Sequence, residues 1–109
     1  MYDVQTEIVD SLISEHYEGS VSGIGAVVDI ASTKVVRGGL VYNPTVGPNA
    51  TTNGVNKYIR VSLDGGSGWI TIPYGGKLCF GIRPDDDTVK IDAGVSGGIG
   101  YEVVLAVEK

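Results

Sequence analysis

The chain is short of several residue types, and each shortage excludes something. It has a single cysteine, Cys79. A lone thiol closes no internal disulfide and forms no four-ligand structural zinc site. The expectation is a chain not stapled in an oxidising compartment. Lys and Arg number only eight against thirteen Asp and Glu, giving a net charge of −5. Nucleic-acid binding needs a basic footprint that displaces counterions from phosphates. None is visible, so no nucleic-acid partner is expected. No apolar run approaches the ~18 residues of a membrane-spanning helix. The start, MYDVQTEIVD, has no basic stretch followed by an apolar one, so it does not read as a signal peptide. No membrane partner is expected, and synthesis in a cytoplasm fits.

What is abundant is glycine, with 17 among 109 residues. Glycine weakens helix interiors and serves tight turns. With 42% hydrophobic residues, the composition is that of a globular chain long enough for one domain. The reading is therefore short strands joined by glycine-rich turns.

Residues 3–17 read as a short amphipathic helix, because Val4, Ile8 and Leu12 recur every four residues and Val9 and Ile13 widen the stripe. Asp3 suits its start, and Gly19 suits a left-handed stop. This divides the chain into an N-terminal helix or arm over 1–19 and a β-domain over 20–109. Removing residues 1–19 is then expected to leave a soluble fold.

Beyond Ser20 the pattern becomes one of strands. Ile24 to Ala31 and Lys34 to Tyr42 are apolar and β-branched, and Gly38-Gly39 marks a bulge or a close backbone approach. Residues 43–56 are almost all turn formers, a loop of the length that is usually functional or mobile. Tyr58 to Leu63 and Trp69 to Ile72, separated by a DGGSG turn, form a β-hairpin. Alternating runs follow at Leu78–Ile82, Val89–Ala93 and Tyr101–Val107. About seven antiparallel strands with a turn every 8–12 residues indicate an all-β domain, either a β-sandwich or a small barrel.

Candidate chemistry is thin. His16 is the only histidine and has no visible nucleophile or acid beside it. Asp85-Asp86-Asp87 offers oxygen ligands but lacks the alternation of a calcium loop, so it reads as a turn, as does Asp64. Cys79 lies on the strand face opposite Leu78 and Phe80, with no base nearby, and reads as inert. The Gly-X-Gly steps at Gly23 and Gly98 lack the strand–turn–helix setting of a phosphate loop. Trp69 with Tyr58, Tyr74 and Tyr101 admits a sugar-stacking platform, although aromatics in small sandwiches more often serve core or interface. No catalytic residue, cofactor or metal is expected.

The layout KVVRGGLVYNP, then KYIRVSLDGGSGWITIPYGGKLCFGI, then DTVKIDAGVSGGIGYEVVLAVE resembles small β-sandwich virion proteins of tailed bacteriophages. The matching residues are Tyr58 to Trp69, Ile72 to Leu78 and Ser96 to Val103, within a likeness spanning roughly 33–108. The resemblance implies a non-enzymatic structural subunit of the virion, foremost a capsid cement or decoration protein that stabilises the head. A neck, tail or baseplate subunit is the alternative, and a carbohydrate-binding module is the rival from another class. The implied partners are the major capsid protein or other virion proteins, and further copies of the chain in a symmetric assembly such as a trimer. The residues expected to make those contacts are Val4, Ile8, Leu12, Tyr42, Tyr58, Trp69 and Tyr74, together with the N-terminal segment and the long loop.

Overall fold

The computed structural model describes residues 12–94 and 98–109. Eight strands form two antiparallel sheets. They are β1 (Leu12–Val21), β2 (Val28–Ala31), β3 (Val36–Tyr42), β4 (Ile59–Ser62), β5 (Ile70–Ile72), β6 (Lys77–Phe80), β7 (Thr88–Ala93) and β8 (Ile99–Glu108). One sheet, called A here, has the order β1-β8-β3-β6. Sheet B has the order β2-β7-β4-β5. The helical elements among the described residues are two short 3-10 turns, Pro48–Ala50 and Asp85–Asp87. The expected all-β sandwich is therefore the fold.

Period-two patterning decides which faces meet. In β8, Ile99, Tyr101, Val103, Leu105 and Val107 are buried, while Glu102, Val104, Ala106 and Glu108 are half-buried. The first set faces sheet B, where Ile30, Ile59, Val61, Val89 and Ile91 are also buried. Removing this much branched apolar surface from water, at about 25 cal/mol per Å², is what holds two sheets face to face. The hairpin expected around DGGSG is β4–β5, with Ile59 opposite Ile72.

The glycines of β3 are required by close approach. A Cβ on Gly38 would fall 2.5 Å from the Phe80 carbonyl, and one on Gly39 would fall 2.5 Å from the Val104 carbonyl. The register of β3 against β8 shifts between Val36 and Gly38, which is the bulge read from the sequence.

The N-terminal reading needs correction. Leu12 to Val21 form a strand, not the end of a helix, and all ten residues pair with β8. Ile13, Glu15, Tyr17, Gly19 and Val21 fall on the inner side in this register, and Leu12, Ser14, His16, Glu18 and Ser20 on the outer side. The strand is held by its long-range pairing with β8, which a short amphipathic helix, marginal in isolation, does not have. Gly19 is not a helix stop. It lies opposite Tyr101, whose hydroxyl would sit 2.8 Å from a Cβ there. Residues 12–19 thus belong to the sandwich. The earlier part of the expected helix, with Val4 and Ile8, lies outside the described residues.

β2 and β3 lie in different sheets, so the short segment between them crosses the sandwich.

Candidate functional site

The two outer faces differ in how they use their charges. On sheet B, Arg60 pairs with Asp92 and Lys90 with Asp29. The Arg60 guanidinium also lies 5.1 Å from the centroid of the Trp69 ring, a cation–π distance. Trp69 Nε1 donates to the Gly66 carbonyl at 3.0 Å. This face is largely satisfied from within.

On sheet A the registers define rows of outward residues running across the strands. One row is His16, Val104, Leu40 and Cys79, and the next is Glu18, Glu102, Tyr42 and Lys77. The centre is therefore apolar and the corners are charged. Between β1 and β8 lies a shallow hollow of about 370 Å³, lined in part by His16, Glu18 and Glu102. At the far end of the face the long loop covers Gly100, where a Cβ would fall 1.6 Å from the Asn49 carbonyl.

That loop is tied down by two asparagines. Asn53 Nδ2 lies within hydrogen-bond distance of Asn43 Oδ1, the Pro44 carbonyl and the Gly100 carbonyl, at 2.9, 3.1 and 3.0 Å. The Gly100 amide donates back to Asn53 Oδ1 at 2.7 Å. Buried Asn43 donates to the Ile72 and Lys57 carbonyls. A segment read as a loose gripping loop is instead built into the fold.

A second cleft, of about 420 Å³, lies beside the DGGSG turn between Trp69, Ile70 and Ile82, with Asp64 and Asp85 at its rim. Ile70 and Ile82 are 46% and 59% exposed. Asp64 is a turn residue, as read. Its carboxylate accepts from the Gly68 amide and the Ser62 hydroxyl, both at 2.8 Å, and these bonds hold its pKa below the usual aspartate value. Asp87 accepts from Arg83 and from the Val36 amide, which also lowers its pKa. Of the aspartate run, the Asp87 carboxylate is thus committed to fixing its own turn and the start of β3. Among the described residues, no group of three His, Cys, Asp or Glu side chains is arranged to hold a metal ion.

The residues singled out from the sequence do not form one cluster. Leu12 and Tyr42 fall on the outer face of sheet A. Trp69 lies over Arg60, beside sheet B. The Tyr58 ring fills the space beside Gly94, where a Cβ would fall 1.8 Å from Tyr58 Cε2. The Tyr74 hydroxyl lies 3.4 Å from the Thr45 carbonyl. Cys79 is exposed. His16 sits mid-strand and not near a helix end. Sequence reasoning overlooked Lys77, Glu18, Glu102, Leu40 and Val104 as neighbours. The signal was the outward half of β8, where Val104 and Ala106 stand between two glutamates.

No protein-family model matches the chain, and no curated protein matches it. Among solved structures, a chain with a similar architecture is found. It is a chain of Bacillus endospore appendages, described as forming a novel family of disulfide-linked pili. The TM-score is 0.51 at 14% identity, covering 90% of this chain and 88% of that one. At this identity the likeness is one of fold. Among the described residues, no helix is long and apolar enough to cross a membrane.

Proposed function

We propose that this chain is a non-enzymatic structural subunit that works by assembling with other proteins in a tailed-phage virion, foremost as a cement or decoration protein on the head. The observation that carries the reading is β1. It is a ten-residue strand at the edge of sheet A, paired on one side with β8, and its other side has no strand partner among the described residues. Edges of this length are templates for a strand from another chain. The resemblance over residues 33–108 supports the virion setting, and the fold it shares with a pilus-forming chain supports assembly. Synthesis would take place in the host cytoplasm, with incorporation into the particle there.

Immunoelectron microscopy of the phage particles with an antibody to this chain tests the reading. Label on the heads is expected. Label on the neck, tail or baseplate would move the subunit to that part of the virion. Particles without label would overturn the virion role.

A second reading rests on the cleft beside Trp69, whose apolar wall and carboxylate rim suit a sugar. It makes the chain a carbohydrate-binding module. A glycan array on which binding is lost in Trp69→Ala would establish it, and an array with no binding would remove it.

A further inference from the structure

The outer face of sheet A carries one row whose charges do not balance. Glu18 lies directly opposite Glu102 in the β1–β8 register. Like charges in directly opposed positions repel. Asn49 donates to Glu18 at 2.9 Å, but neither glutamate is in an ion pair among the described residues. The same row continues through Tyr42 to Lys77 at the β6 edge. Lys77 is exposed, and it too is in no ion pair among the described residues. It stands two strand spacings from Glu102, about 10 Å, too far for a direct bond. The row thus has acid at one end and base at the other, separated by an aromatic ring, and the adjacent row is apolar at its centre.

A symmetry operation resolves the imbalance. Consider a twofold axis lying in this face and parallel to the strands. It exchanges the two ends of every row and keeps each row opposite itself. Lys77 of a second copy is then placed over Glu18, Tyr42 over Glu102, and Leu40 over Val104. Aligned sheets pack about 10 Å apart with a rotation near 30°, which this symmetry gives when the axis is inclined by about 15° to the strands. At that spacing the four-carbon stem of Lys77 is long enough to bring its ammonium to the hollow lined by Glu18 and Glu102. The other twofold axis in the face, perpendicular to the strands, reverses the order of the rows. It lays the acidic pair over Ser14 and Ala106 and leaves the pair without a cation. The outer face of sheet B offers no equivalent, because Arg60 and Lys90 already have carboxylates of their own.

We propose that two copies of the chain pack sheet A against sheet A about a twofold axis parallel to the strands, with Lys77 of each copy seated over the Glu18–Glu102 pair of the other. This rests on the assembly reading above and names the surface that serves it.

Sedimentation equilibrium on the full chain tests it, with circular dichroism confirming that each variant is folded. The wild type is expected to dimerise, and more weakly as salt is raised. Lys77→Glu places three acids together and is expected to weaken the dimer by at least about tenfold. The double variant Glu18→Lys/Glu102→Lys does the same with three bases. Mixing these two variants pairs opposite charges at both contacts, so dimers should return as heterodimers only. A wild-type dimer that neither variant weakens, or two folded variants that stay monomeric when mixed, would overturn the proposed face while leaving self-assembly standing. A wild-type monomer or trimer would also overturn it, because this axis yields pairs. The virion reading is judged separately by labelling of particles.

Discussion

Asn53 holds the long loop to the sandwich with one side chain. Its amide bridges Asn43, Pro44 and Gly100 across 47 residues of chain. Replacing it with Ala leaves the buried Gly100 amide and the Asn43 carboxamide oxygen without that partner. Stranded buried groups cost about 1–3 kcal/mol each, and relaxation with water entry recovers part of that. Asn53→Ala is therefore expected to lose about 2 kcal/mol, read as a lower urea midpoint with an unchanged slope. Asp87 makes a prediction of a different kind. Arg83 and the Val36 amide hold its folded pKa below the ordinary value near 3.9. A carboxyl whose pKa is depressed on folding stabilises the fold at pH above its unfolded pKa. That stabilisation is lost as pH falls through the folded pKa. Thermal scans should show wild type losing stability below about pH 4, a region set by the unfolded value. In Asp87→Asn that part of the acid slope should be absent, at the cost of lower stability at neutral pH.

At the scale of elements, β1 is where the expectation changes most. Truncating residues 1–19 removes eight of the ten residues of β1, Leu12 to Gly19. The cut uncovers the edge of β8 and the ring of Tyr101, which packs over Gly19. The shortened chain is expected to lose its native circular dichroism or to aggregate through the new edge, not to remain a soluble fold. A soluble, cooperatively melting truncation would show that β1 is dispensable. The same element shows what was legible in the chain. Hairpin β4–β5 and strand β8 could be read because each keeps a period-two pattern beside turn residues of fixed geometry. β1 could not, because Leu12 continues the four-residue spacing of Val4 and Ile8, a helical pattern, and the strand's partner is β8, about ninety residues away. The sheet change between β2 and β3 was hidden for a similar reason, since a short polar connection reads the same whether it closes a hairpin or crosses the sandwich. Of the candidate site, the aromatics were visible as types. That Tyr42 joins Lys77 and Glu102 in one row is a property of register across three strands, and register is fixed by pairings that no local window contains.

At the scale of the whole molecule, the proposed assembly raises the question of how copies would be held together. The endospore appendage is described as disulfide-linked. A covalent polymer needs at least two linking thiols per subunit, one toward each neighbour. This chain has one, Cys79, exposed on the edge strand β6. Its oxidation can join two subunits and no more, so any larger assembly must be held by burial, strand pairing and charge. Two measurements follow. On a denaturing gel without reductant, assembled material should run as monomer with at most a dimer band and no ladder. In native solution, Cys79→Ser should assemble as the wild type does, and added reductant should leave the assemblies intact. Salt is expected to matter more than reductant, because the proposed contact of Lys77 with Glu18 and Glu102 is made between surface charges, which are screened beyond about 8 Å at physiological ionic strength. A ladder that collapses on reduction would require a second linking residue that this sequence does not contain, and would turn attention to cysteines contributed by another protein.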